Sequence, residues 1–267
     1  MNNVVSLAGV KRGVSTVAPR IVLYSSHGVG KTTWAASAPN PIFLQAEDGL
    51  GVIEDAATFG LLRHYDQFMS AIGELLEGDH DFKTVVVDSL DHLEPMVWAK
   101  VCELNNWSSI EDPGYGKGYT AALERWRELL DGMNALRDEK GMTVIYLAHA
   151  TVKRFDSPET EPYDRYQIKL HEKTSALVQE AADCVFFANF RVSIEKTDVG
   201  FKKTVSRGKS GGQRLLYTEE RPAFMAKNRY KMPESIPMPE ENGFAVFADY
   251  VPFYHLGAGN NADSANQ

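Results

Sequence analysis

The sequence predicts an α/β protein: a mainly parallel sheet with helices on both faces and a β-rich C-terminal extension. Three observations carry this expectation. A strand-like run, Ile21-Val22-Leu23-Tyr24, passes through a glycine-containing turn straight into helix-forming Thr33, Trp34, Ala35 and Ala36. Short apolar runs then alternate with segments of helical period, and uninterrupted β-branched runs suit strands buried on both faces. Beyond Phe190 the long helical patterns stop, and short β segments with Gly and Pro turns take over.

The elements follow in order. Residues 1–19 read as a flexible lead-in, 20–252 as the folded domain with its β-rich part from about 190, and 253–267, rich in Gly, Asn, Ala and Ser, as a disordered tail. Pro39 and Pro41 end the first helix, and Ile42 to Ala46 reads as a second buried strand stopping at Glu47-Asp48-Gly49. Phe68, Ile72, Leu75 and Leu76 recur at helical spacing, and Thr84 to Val87 is a β-branched strand closing on Asp88-Ser89. A helix from Leu90 to Leu104 carries Pro95 in its first turns. A polar loop, Asn105 to Gly118, precedes a long amphipathic helix marked by Leu123, Trp126, Leu130, Met133 and Leu136. Thr143 to Leu147 forms another buried strand ending at Ala148-His149. A charged, proline-bearing loop is expected from Thr151 to about Lys169, then a helix through Leu177 and Val178, then a strand from Cys184 to Ala188.

Composition excludes several classes. No apolar run approaches the ~20 residues of a membrane span, and the first twenty residues lack the apolar centre of a signal peptide, so a cytoplasmic protein without membrane contact is expected. Two cysteines, Cys102 and Cys184, are too few for a disulfide framework or a cysteine zinc site and read as buried thiols. The formal net charge is −8, yet eleven Lys/Arg face four acids between Arg191 and Lys231. Such a block is either a solvated face or a region that meets phosphates.

The turn after Tyr24, Ser25-Ser26-His27-Gly28-Val29-Gly30-Lys31-Thr32, has the composition of a phosphate-binding loop. Small residues let backbone N–H groups close around phosphate oxygens, a lysine meets their charge, and a hydroxyl suits Mg²⁺. The cradle is expected from Ser26, His27, Gly28, Val29, Gly30, Lys31, Thr32 and Thr33, with Lys31 contacting phosphate. Ser25 stands where the strict pattern has glycine. Asp88, at a strand end, would complete with Thr32 the shell of Mg²⁺; its other reading is a helix N-cap. Hydrolysis also needs a carboxylate that orients the attacking water, and two compete: Asp91, just beyond Asp88, and Glu47, at the end of a separate strand.

The run Phe43 to Leu50, FLQAEDGL, resembles the segment of RecA-type recombinases that ends in their catalytic glutamate, which would make Glu47 catalytic. Val85-Val86-Val87-Asp88-Ser89-Leu90 is similar to RecA-type Walker B strands. His149 occupies the place where that family has a γ-phosphate-sensing residue, normally glutamine. Ala226-Lys227-Asn228-Arg229-Tyr230 resembles the basic pair with which a RecA-type subunit reaches its neighbour's nucleotide, so Lys227 and Arg229 would act in trans. From Ile21 to about Pro237 the order of these matches is most similar to phage ATPases of the Sak single-strand-annealing group, which are trimmed RecA-like P-loop NTPase cores. The resemblance implies ATP and Mg²⁺ as cofactors, a ring or filament of identical subunits with nucleotide between them, and single-stranded DNA as partner. Tyr115, Lys117 and Tyr119 in one loop, and Lys153, Arg154, Phe155, Tyr163, Arg165, Tyr166 and Lys169 in another, offer the cations and aromatic faces that a single strand needs. The expected function is therefore a DNA-dependent ATPase of recombination or annealing. A helicase-like or AAA+-like motor is the alternative, with Asp88-Ser89 and the lack of a helical lid standing against AAA+. A small-molecule kinase is a third, with Lys153 to Lys169 as its lid.

Overall fold

The computed structural model describes residues 16–255 apart from Val52, Glu54 and residues 199–203. In chain order the elements are β1 (Arg20–Ser25), α1 (Lys31–Ala36), β2 (Pro41–Gln45), β3 (Ala57–Leu61), α2 (Tyr65–Glu77), β4 (Thr84–Asp88), α3 (Leu90–Asn105), α4 (Lys117–Lys140), β5 (Thr143–Phe155), β6 (Tyr163–Ile168), α5 (Glu172–Ala181), β7 (Cys184–Asp198), β8 (Thr204–Tyr217), β9 (Ser235–Pro237) and α6 (Gly243–Ala248). The strands form a sheet of order β3-β2-β4-β5-β1-β7-β8-β9, with β6 paired to β5. From β3 to β7 the neighbours along this order are parallel, whereas β8, β9 and β6 are antiparallel. The expected fold class holds, including the β-rich C-terminal part.

The sheet is buried on both faces, which explains why its strands read as continuous apolar runs rather than alternating ones. Val22, Tyr24, Val85, Val87, Val144 and Tyr146 pack under α2, α3, α4 and α5 with Phe68, Leu93 and Trp126. Ile21, Leu23, Val86, Ile145, Leu147 and Phe186 face the other way, onto Trp34 of α1 and Phe244 and Phe247 of α6. Period-two alternation thus serves two cores at once. Tight stops frame the helices: α4 ends on Gly141 in the left-handed conformation (φ 67°), with Arg137 and Lys140 in its last turn against the exposed carbonyls.

Several expectations are corrected. β3 has no strong apolar run, since its burial is partial, and the sequence reading passed over it. The expected loop from Thr151 to Lys169 is a β-hairpin: β5 continues past the sheet, and Phe155 pairs with Tyr163 and Thr151 with Gln167. Its charged residues disguised a two-stranded ribbon with much of its outer part exposed. Lys117 and Tyr119 belong to α4 rather than to the preceding loop. Ala18, placed in the lead-in, is buried, and Phe253 to His255, placed in the tail, continue from Pro252 as a 3₁₀ turn whose Tyr254 hydroxyl bonds Thr143. The rest of the tail, from residue 256, and residues 1–15 lie outside the described residues, as do Lys202 and Lys203 of the basic block. Cys184 is buried, and burial pushes its thiol up to about 12; Cys102 is only half-buried.

Lys227 and Arg229 are placed differently from the expected trans-acting pair. They do alternate on one segment, which bridges to β7 at Val185, beside the amino end of β1 and away from the phosphate loop. Lys227 Nζ donates to the carbonyls of Gln179 (2.9 Å) and Ala182 (2.8 Å), closing the C-terminal end of α5. Arg229 Nη1 donates to Asp183 Oδ1 at 3.0 Å. Asp183 also accepts from Arg20 through its backbone N–H (3.0 Å), Nε (3.2 Å) and Nη2 (3.1 Å). The pair therefore docks the C-terminal segment onto its own chain.

Burial alone would raise the Asp183 carboxyl, but the Arg20 hydrogen bonds and charge outweigh it and hold the group below the ordinary carboxylate range. The folded chain then binds this proton more weakly than the unfolded one. The resulting stability is fully present above the unfolded value of about 3.9 and is lost as pH falls below it. Asp183→Asn should lower the unfolding free energy at neutral pH by about 1–3 kcal/mol, read from urea midpoints at unchanged slope. The difference between variant and wild type should shrink below about pH 4.

Candidate nucleotide site

The parallel register brings the candidate groups together. Asp88 is opposite Gln45 on one side and Leu147 on the other, while Ser25 is opposite His149. Four strand ends, β2, β4, the sheet-bound part of β5, and β1, therefore open on one edge, where ligands of such sheets bind. A cleft of about 250 Å³ there is lined by Gly28, Gly30, Lys31, Thr32, Thr33, Glu47, Gly49, Ile53, Asp88 and His149. Of the expected cradle, Ser26, His27 and Val29 do not line this cleft with the rest; Val29 is buried in the core. Gly28 (φ 76°) and Gly30 (φ 99°) adopt left-handed backbone that a side chain would strain, and this turns the loop's backbone around the cleft. Ser25, in place of the usual glycine, is buried and joins the loop by hydrogen bonds: its hydroxyl donates to Ser26 O (2.7 Å) and accepts from Lys31 Nζ (3.3 Å).

Lys31 and Asp88 are both buried at the cleft. Burial pushes the Lys31 ammonium down, opposed by Asp88, Asp91 and Glu47. Burial pushes the Asp88 carboxyl up, opposed by the hydrogen bond from Thr32. Thr32 Oγ1 donates to Asp88 Oδ2 at 2.9 Å. A hydroxyl and a carboxylate side by side, beside a cradle for phosphate, form an all-oxygen donor pair of the kind that hard Mg²⁺ takes, so the residues present fit the expected cation.

Two carboxylates compete for the water-orienting role, and their surroundings differ. The Asp91 side chain is 2% exposed and fully engaged. Its Oδ1 accepts the His149 backbone N–H (2.9 Å), and both oxygens lie against His149 Nδ1 (3.2 and 3.0 Å). Burial works to raise its carboxyl, yet the His149 contacts, with His92 beyond them, hold it well below the ordinary range. Glu47 lines the cleft with its side chain 27% exposed, its Oε2 lying 3.3 Å from His92 Nδ1. His149 itself is buried, its ring tilted 30° against that of His27 with centroids 4.1 Å apart.

Two neighbours escaped the sequence reading. His92 follows Asp91 on α3, and only the parallel pairing of β2 with β4, which leads into α3, brings it to Glu47. Arg214 of β8, counted in the sequence only as part of a basic block, lies across the phosphate loop: Nη1 donates to Val29 O at 3.4 Å and would meet a Cβ at Gly30 at 2.6 Å. No local signal marks a contact between positions so far apart in sequence.

Lys31→Ala should weaken ATP binding by about 2–4 kcal/mol, roughly 30- to 1000-fold, because it removes a cation buried in the cleft. Asp88→Asn should instead remove the strengthening of binding by Mg²⁺. Titration of a fluorescent ATP analogue with and without Mg²⁺ distinguishes the two.

Comparison with known proteins gives a family. No curated protein matches the chain. A solved structure, the crystal structure of the RadB recombinase, is similar over 85% of this chain and 90% of that one, at 17% identity and a TM-score of 0.46. The Asp88-Ser89 ending expected to stand against AAA+ does not separate the chain from AAA domains as a family. A family model described as an AAA domain matches residues 18–230, from just before β1 to beyond the basic pair, and the chain accordingly belongs to the AAA-domain family of P-loop ATPases.

Proposed function

We propose that this chain is a RecA-like, single-stranded-DNA-dependent ATPase of phage-type recombination or annealing, with Glu47 as the residue that orients the attacking water. The observation that carries the catalytic part is the contrast between the two carboxylates. Asp91 has both oxygens committed to His149, whereas Glu47 stands at the cleft beside Thr32 and Asp88 with its carboxylate partly in solvent. In this reading Lys31 and the loop's N–H groups hold the β- and γ-phosphates. Thr32 and Asp88 would hold Mg²⁺, which would supply charge neutralisation there. Glu47 accepts a hydrogen bond from the water and aims its lone pair at the γ-phosphorus, and His149, kept in place by Asp91, faces the same phosphate.

The DNA part is supported by what the surface exposes, even though Lys153 bonds Leu170 O (3.4 Å), Arg154 pairs with Asp156 (3.5 Å) and Lys169 lies 3.6 Å from Asp91. Tyr115 is fully exposed at a left-handed turn (φ 51°), Lys117 is exposed beside it, and Lys153, Arg154 and Lys169 are exposed on and beside the hairpin. Other expected contacts are otherwise engaged. Tyr119 stacks on His171 at 4.1 Å and bonds Glu111, while Arg165 packs over Phe155 and pairs with Glu220 at 2.8 Å. That packing also speaks against the kinase alternative, since the segment that would have to be a mobile lid is a hairpin tied to the body by Arg165. Among the described residues no helix is long and apolar enough to cross a membrane. An assembly of identical subunits, in a ring or filament, belongs to the same proposal.

Glu47→Gln should retain ATP binding and lose turnover by about 10²-fold or more, while Asp91→Asn should perturb His149 and the cleft without that separation. Equal loss of binding in both variants would remove Glu47 from the role. Tyr115→Ala should weaken single-stranded DNA binding by about 1–3 kcal/mol, with nucleotide affinity unchanged. Filter binding over a salt series should show affinity falling steeply with salt as counterions are released. No binding at low salt with a non-hydrolysable analogue present would sink the DNA assignment.

A further inference from the structure

We infer that Glu47, His92 and His149 form a binding site for Zn²⁺, distinct from the Thr32–Asp88 oxygen pair, whose occupation withdraws Glu47 from hydrolysis. One donor atom from each of the three residues falls within 4.8 Å of the others. Tetrahedral Zn²⁺ with bonds of about 2.0–2.1 Å places its ligands about 3.3–3.5 Å apart, so the side chains need to draw in by at most about 1.5 Å. The two that must move can do so: the His92 side chain is 42% exposed and that of Glu47 27% exposed, whereas His149 is buried and fixed. One imidazole is already oriented as zinc sites require. Asp91 engages His149 Nδ1 at 3.0 Å, which leaves Nε2 as the free donor, the carboxylate–histidine arrangement that sets tautomer and direction in such sites.

The donor chemistry separates this cluster from the magnesium pair. Two imidazoles and one carboxylate are the set of a borderline-soft cation, and three protein ligands leave one position open to water or a phosphate oxygen. Mg²⁺ prefers oxygen throughout and keeps its waters, so it selects Thr32 and Asp88 instead. A carboxylate bonded to Zn²⁺ no longer offers that oxygen to an attacking water. Nucleotide binding, which rests on Lys31 and the loop, is left intact. The inhibitory consequence rests on the proposed role of Glu47; the metal site does not.

The test begins without nucleotide. Zn²⁺ is titrated into the full chain against a chromophoric chelator, with Co²⁺ as a visible-absorbing probe of the same ligands. Wild type should take up a single tightly held Zn²⁺ per chain and give Co²⁺ bands of four-coordinate intensity. His92→Gln and Glu47→Gln should each weaken Zn²⁺ by about 10- to 100-fold or more, the scale seen even for lost outer-shell partners. Nucleotide affinity of His92→Gln should equal that of wild type, which also shows that the exposed substitution leaves the fold intact. Equal Zn²⁺ affinity in wild type and both variants overturns the inference. In Mg²⁺–ATP turnover assays, Zn²⁺ should suppress wild type and spare His92→Gln. Full turnover by wild type shown to hold Zn²⁺ would keep the metal site and overturn the assignment of Glu47 to the attacking water.

Discussion

The parallel backbone ladder joining β2, β4, β5 and β1 fixes where every candidate group stands. Because the strands run the same way and are paired in register, the residues just past their carboxyl ends converge: Glu47 after β2, Asp88 at the end of β4, His149 beyond Leu147, and the loop that follows Ser25. The ladder is in turn held by apolar contacts on both faces, which leave no strand free to slip by a residue. A slip would exchange Val22 and Tyr24 for Ile21 and Leu23 between two differently shaped cores. Precision at the site is therefore a consequence of packing well below it.

Within that frame, charge decides roles. Burial pushes the Lys31 ammonium down and the Asp88 carboxyl up, against the opposing carboxylates around Lys31 and the Thr32 hydrogen bond to Asp88. Asp91 and Glu47 are carboxylates of the same region with opposite situations: one saturated by His149, the other open toward solvent. That division follows from depth. Asp91 sits in the first turn of α3 under His149, while Glu47 sits on the loop after β2.

The β-rich extension works as a brace. α6 lays Phe244 and Phe247 on Trp34, with ring centroids 5.0 and 6.0 Å away, and Gly243 lets the backbone approach where a Cβ would fall 2.9 Å from the indole. Burying these rings contributes on the order of 1.5–3 kcal/mol each and clamps the short α1, which isolated would not be stable. Arg214 reaches the phosphate loop from β8, and Lys227 with Arg229 ties the segment down at the opposite end of β1.

The order of buried strands and helices, the phosphate loop and the strand-end acids were legible in the sequence because each depends on local pattern: apolar runs, helical period, glycine where backbone must turn left-handed. Glu47, Asp88 and His149 could be named for the same reason, each closing an apolar run. What sequence alone left open was decided by contacts between distant segments. Lys227 and Arg229 had the right types and spacing for a phosphate-gripping pair, yet their targets, the end of α5 and Asp183, follow from where the chain returns along β7. The hairpin from Thr151 to Ile168 was hidden by charges on its exposed face, since a strand's pattern depends on what covers it. The different settings of Asp91 and Glu47, the reach of Arg214 and the meeting of His92 with His149 were likewise tertiary: side-chain chemistry is written residue by residue, but which groups stand within a few ångströms of one another is set only when the sheet closes its register.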